Sequence, residues 1–171
     1  MRTPKARASR KPPGAMTGRA ADAEDVSRTV AALYAEHYRS LVRLAVLLVS
    51  DLAAAEEIVQ EAFADVYGSW RTLPGQDAAL RYLRRSLIRR SRSAPQPPPA
   101  AGIPATGPEA GLLPALLALP ARQREVLVLR YFADLPEAEV AVLTGMRIPV
   151  VRTYATRGMS SLRAGLPGNV A

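Results

Sequence analysis

The chain has 171 residues, a formal net charge of +8 and no cysteine. That length holds one or two small domains, and a strongly basic balance points to a polyanionic partner, nucleic acid first, although its Arg, Ala, Gly and Pro bias is also what a GC-rich genome produces. Without cysteine there are no disulfides or thiolate metal sites, and with His37 as the single histidine there are no His-pair zinc sites and no triad with a histidine base beside a cysteine.

Residues 1–24 read as a disordered basic tail. Arg2, Lys5, Arg7, Arg10, Lys11 and Arg19 precede the first acid, and Pro4, Pro12, Pro13, Gly14 and Gly18 oppose a helix. Such a tail adds non-specific DNA affinity or is simply a solvated extension; an arginine-rich transit peptide is a third reading, opposed by prolines that spoil the amphipathic helix it needs.

Residues 25–93 read as a first helical domain. The spacing predicts a helix over about Val26–Val49, with Leu33, His37, Leu41, Leu44 and Leu48 on one face. His37 lies on that stripe and reads as a packed histidine rather than a ligand. Ser50-Asp51 is a break that also offers an N-cap. The next helix, to about Trp70, puts Ala55, Ile58, Val59, Ala62, Phe63, Val66 and Trp70 on its apolar face and Glu56, Glu57, Gln60, Glu61 and Asp65 on the other. Most acidic helix faces are merely solvated. This one sits between basic flanks, which suits a basic protein surface as partner.

Pro74-Gly75 marks a turn. A third helix follows from Ala78 to about Arg92, with Leu80, Leu83 and Leu87 inward. Arg81, Arg85, Arg89 and Arg92 form a stripe with Arg84 and Arg90 beside it, and no acid neutralises them. A solvated cationic face ordinarily alternates with acids, so this stripe points to nucleic acid. Tyr82 is placed to stack on an unpaired base, with core packing as the ordinary alternative.

Residues 94–114 read as a proline-rich linker that would span ~60 Å at about 3.1 Å per residue if fully extended. Two helical modules could then sit several duplex turns apart.

Residues 115–166 carry a helix-turn-helix pattern. Leu119–Tyr131, Leu135–Met146 and Ile148–Leu162 are three amphipathic stretches, and Val126, Leu129, Tyr131, Val140, Leu143, Ile148, Val151, Ala155, Met159 and Leu162 recur at helical spacing. Thr144-Gly145-Met146 is a tight turn with glycine where a positive φ is needed. The last helix in such a motif lies in the major groove, and its outward residues are Arg147, Arg152, Thr153, Thr156 and Arg157. A plain three-helix bundle with a basic face is the competing reading.

These residues carry a family resemblance. Leu33–Ala45 together with Ala55–Phe63 resembles region 2 of bacterial RNA polymerase sigma factors of the extracytoplasmic-function type. Leu119–Tyr131 with Glu137–Val140 and Gly145 resembles their region 4. The resemblance covers about residues 30–163, and the paired motifs in this order are specific. It implies an all-α fold of two small helical domains joined by the linker. It implies a transcription initiation factor, not an enzyme, with core RNA polymerase and promoter DNA as partners and an anti-sigma factor as a further candidate. It assigns core-polymerase binding to Glu56, Glu57, Gln60 and Glu61. Recognition and opening of the −10 element fall to Arg81, Tyr82, Arg84, Arg85, Arg89 and Arg92, and reading of the −35 element to Arg147, Arg152, Thr153, Thr156 and Arg157. No cofactor or metal is implied, and the free chain is expected to be a monomer.

The chain departs from the family pattern in several places. Arg147 stands where a Ser cap usually opens the recognition helix, Pro149 is tolerated only in a first turn, and Tyr154-Ala155 replaces an Arg-Leu pair. Gly158 is expected to weaken the helix interior by about 1 kcal/mol. Arg89 holds a position often occupied by Asn, and Pro95 ends the basic run after Arg92. Three other functions share these features: a sigma-like modulator or decoy, a free-standing helix-turn-helix regulator, and an enzyme acting on nucleic acid. The last lacks a metal-type carboxylate cluster and a Gly-rich phosphate loop. No apolar run reaches the length of a membrane span and no signal-peptide core follows the start, so a cytoplasmic location is expected.

Overall fold

The computed structural model describes the backbone of residues 14–95 and 111–166, with side chains from residue 24 onward. Among these residues every regular element is helical. Helix α1 spans Gly14–Val49. It starts well before the expected Val26, so the stretch 14–24 assigned to a disordered tail is helical, while residues 1–13 lie outside the described residues. The two glycines are outweighed there by strong helix formers: Ala15, Met16, Arg19, Ala20, Ala21 and Ala23 follow Pro13 without another proline.

The α1 end is sharp. Ser50 takes a positive φ of 66° and its N–H donates to the Val46 carbonyl at 2.8 Å. Asp51 is extended and its carboxylate accepts from the Ala54 N–H at 2.6 Å, the N-cap expected at this break. Helix α2 (Leu52–Ser69) follows, then a 3₁₀ turn over Trp70–Thr72. Gly75, at φ 89°, turns the chain into α3 (Gln76–Ser93). The three helices close on Leu41, Leu44, Leu48, Val59, Phe63, Val66, Leu83 and Leu87. His37 is half-buried at the edge of this core, 3.7 Å from Glu36.

The second half contains α4 (Leu112–Leu117), α5 (Ala121–Leu127), α6 (Glu137–Thr144) and α7 (Ile148–Gly165). The linker expected over 94–114 falls mostly outside the described residues, but its last part is corrected: Leu112–Pro114 belong to α4, whose first turn accommodates the proline. Helix α5 runs on into a π-helical turn over Val128–Phe132. A wider turn shifts the phase of the residues after it. Tyr131, read from sequence as an apolar packing position, lies within this turn and is 59% exposed, and Phe132 beside it 50%. Gly145 adopts φ 72° at the end of α6, and the N–H groups of Gly145 and Met146 both reach the Ala141 carbonyl. A side chain at 145 would be strained in that conformation.

Gly158 has a packing reason that the sequence does not display. It is buried where α7 crosses α5, and a Cβ there would lie 3.1 Å from Leu127 Cγ and 3.3 Å from Gln123 Cβ. The loss of helix propensity is thus the condition for close approach. Gly158→Val is expected to destabilise the protein by about 1–3 kcal/mol through overpacking, and Gly158→Ala to be near neutral, its propensity gain offset by the shift asked of Leu127. Thermal unfolding of the two variants checks this; an unchanged Tm for valine would contradict the close crossing.

The two halves do not stand apart. Helix α3 packs on α6, and the C-terminal part of α1 packs on α4, α5 and the π turn. The expectation of modules separated by an extended spacer is corrected by this packing. Small domains bury a limited share of their apolar surface, and here Leu48, Ile88, Val126, Val128, Val140 and Leu143 join one continuous buried cluster.

Candidate nucleic-acid interface

The arginines of α3 divide into two sets. Arg81, Arg85 and Arg89 are exposed. Among the described residues Arg81 and Arg85 carry no ion pair, and Arg89 has only a 3.7 Å approach to Asp65. Arg84, Arg90 and Arg92 are engaged. The reading that no acid neutralises this stripe is therefore corrected: the acids come from other helices, where sequence spacing does not show them. Arg90 donates to Asp65 at 2.8 Å and to Glu61 of α2. Arg84 pairs with Glu139 of α6 at 3.2 Å. Arg92 pairs with Glu125 of α5 at 2.5 Å and donates to the Thr144 carbonyl at 3.0 Å. The hydrogen bond from Arg90 holds the Asp65 carboxyl below the usual carboxylate range against a smaller opposing effect of burial, and Ser86 adds a second donor at 3.3 Å. Tyr82 is half-buried against the core and forms one wall of a cleft of about 440 Å³ whose lining includes Arg85, Arg89, Arg92 and Thr144.

Helix α7 presents the other set. Arg147, Arg152, Thr153, Thr156 and Arg157 are all exposed. Its start lacks a side-chain cap, and Pro149 sits in the first turn, where its missing N–H costs nothing. Arg152 Nε donates to Glu137 at 2.7 Å, while Thr153 Oγ1 donates to the Pro149 carbonyl at 2.9 Å, which leaves the hydroxyl oxygen as an acceptor. Val151 anchors the inner side of the helix at 0% exposure.

On α2, Glu56, Glu57, Gln60 and Glu61 are exposed on one face while Ala55, Ile58, Val59 and Ala62 are buried on the other. Glu61 differs from its neighbours because Arg90 holds it. Arg124 is a buried structural side chain that sequence reasoning missed. It is 5% exposed and donates to the carbonyls of Leu117 at 2.8 Å and Leu48 at 3.0 Å, so it ties the C-terminal ends of α4 and α1 together. Burial pulls its pKa down from the ordinary guanidinium value, yet a guanidinium with two carbonyl acceptors stays charged.

Residues 33–94 match the description of sigma-70 region 2, and residues 111–162 match that of sigma-70 region 4. An RNA polymerase sigma-E factor of Streptomyces coelicolor is 30% identical over 141 residues, which is 74% of this chain and 80% of that protein. The chain belongs to the sigma-70 family, as a sigma factor of the extracytoplasmic-function type. The sigma-E factor of Streptomyces antibioticus is likewise 30% identical, over 78% of its length. A solved structure of the sigma factor RpoE with the anti-sigma factor NepR from Bartonella quintana shares the fold. Its TM-score is 0.57 at 17% identity, over 83% of this chain and 94% of that one. Sigma factors direct RNA polymerase to promoters and leave the chemistry to it, so this sigma factor is not an enzyme, and the reading as a nucleic-acid-processing enzyme falls. No described helix is long and apolar enough to cross a membrane.

Proposed function

We propose that this sigma factor docks on core RNA polymerase through the exposed acids of α2 and reads promoter DNA with two separate helices. Glu56, Glu57 and Gln60 form the docking face, with Glu61 at its edge. Arg81, Arg85 and Arg89, beside Tyr82, take the −10 element as it opens, because bases stack on side chains only once they are unpaired. Arg84 and Arg92 join them when their carboxylate partners are released. Arg147, Arg152, Thr153, Thr156 and Arg157 read the −35 element as duplex in the major groove.

The observation that carries this reading is the separation of charge. One chain of this family exposes an acidic face on α2 and two arginine-bearing faces on α3 and α7. A free-standing regulator has no use for the first, and a polymerase decoy has no use for the other two. The sigma factor seen with an anti-sigma protein in the Bartonella structure makes a protein of that kind a candidate partner here. The test is run-off transcription by purified core polymerase on genomic promoter fragments. Addition of the chain should produce discrete new start sites. Stable binding to core polymerase without any new start would leave the decoy reading in its place.

A further inference from the structure

We propose that the free sigma factor is held closed by a clasp in which the C-terminal half offers two carboxylates to α3 where DNA phosphates would otherwise sit. This inference rests on the reading of α3 as the strand-opening helix, and it concerns how that helix is masked. Glu139 of α6 accepts from Arg84 at 3.2 Å, and Glu125 of α5 accepts from Arg92 at 2.5 and 3.3 Å. Both bonds run between the two halves of the chain. Both arginines are more shielded than Arg89, with side chains 23% and 36% exposed against 68%.

Glu125 is the centre of the device. Its side chain is 6% exposed, and a carboxylate so buried must be matched by cations. Arg122 of its own helix supplies one at 3.2 Å. The other, Arg92, comes from α3 and also donates to the Thr144 carbonyl at the end of α6. The C-terminal half therefore takes an arginine from the helix that it covers. A second joint lies at Arg124, which links the end of α1 to the end of α4.

The consequence is competition. A nucleic-acid phosphate and the Glu125 or Glu139 carboxylate need the same guanidinium, so closure and strand capture exclude each other at Arg84 and Arg92. Arg81, Arg85 and Arg89 remain exposed in the closed form and provide the first encounter with DNA. The shielded pairs also resist salt screening better than surface pairs do.

The chain has no cysteine, so Ala53→Cys on α2 and Ser161→Cys on α7, both exposed, give two unique dye sites for energy transfer between the halves. The doubly labelled chain should show high transfer. Adding Glu125→Gln with Glu139→Gln should lower it. The same pair should tighten binding of a single-stranded oligonucleotide by about tenfold. The reference for that comparison is the control Asp25→Asn with Glu36→Gln, which changes net charge equally at exposed sites far from the clasp. Glu139→Gln alone, where burial is modest, should move both readings in the same direction and decides the matter if the Glu125 variant loses helix content. The exchange Arg84→Glu with Glu139→Arg should restore transfer relative to Glu139→Gln. Unchanged transfer and control-level oligonucleotide affinity in the glutamine variants would overturn the clasp. Core-polymerase binding by the same preparations is read separately: its absence strikes at the proposed function, and a change in transfer still reports on closure.

Discussion

Glu56→Lys combined with Glu57→Lys is expected to weaken binding to core RNA polymerase by at least about a hundredfold while leaving helix content and Tm unchanged. Both carboxylates are exposed, and among the described residues neither forms an ion pair, so the fold loses nothing when they change. The buried face of α2, from Ala55 to Val66, is untouched. At a protein interface a close charge pair is worth roughly 1.5 kcal/mol or more by coupling measurements. Reversal removes two such pairs and adds repulsion against the basic partner surface. Glu61→Lys is a poorer probe, because it also leaves Arg90 without one of its carboxylates. Titration of labelled sigma factor with core polymerase reads the effect. Affinity within a few-fold of the unmutated chain would remove α2 as the docking face.

The second large effect separates the two DNA-facing helices. Arg85→Ala with Arg89→Ala is expected to spare recruitment of polymerase to a closed promoter and to reduce strand opening by about a hundredfold, and a premelted promoter should recover the loss. The two side chains project from α3 into solvent, with no strong partner in the fold, so their removal acts on DNA and not on stability. Arg152→Ala with Arg157→Ala should do the opposite: weaken recruitment on duplex DNA, with no rescue by premelting. Removing a cation that neutralises one phosphate lowers the salt slope of binding by about one unit, whereas removing a side chain that reads a base edge costs roughly 1–3 kcal/mol at one promoter position. Arg152 should show the smaller effect of its pair, since the free protein already engages it with Glu137 and DNA must compete for it. Permanganate footprinting and a salt series distinguish the two classes. Persistence of the Arg85/Arg89 defect on premelted DNA would mean that α3 does not act at opening.

Much of this molecule follows from residues close together in sequence. Apolar side chains at helical spacing marked α2, α3 and α7 and told most of their inner faces from their outer ones, because a helix repeats within four residues, although Ile148 at the start of α7, read as a packing position, is 39% exposed. Asp51 and Gly145 marked a start and an end, since caps are satisfied by groups one turn away. The exposed acids of α2 and the exposed polar face of α7 were legible for the same reason. The paired region 2 and region 4 patterns also carried the family.

What the tertiary structure decided involves partners that no local rule connects. Arg84 and Glu139 are 55 positions apart, and Arg92 and Glu125 are 33 apart. One arginine stripe on the sequence thus became three cations without a strong partner and three engaged ones. Gly158 reads as a weak spot in a helix until Leu127 is seen against it. Tyr131 reads as core, yet it lies exposed within the π turn. The proline-rich composition of residues 94–114 suggested separation, but composition between two groups of helices does not determine whether those helices attract. That depended on apolar surface left over by each half and on a buried carboxylate, Glu125, whose second cation, Arg92, comes from α3.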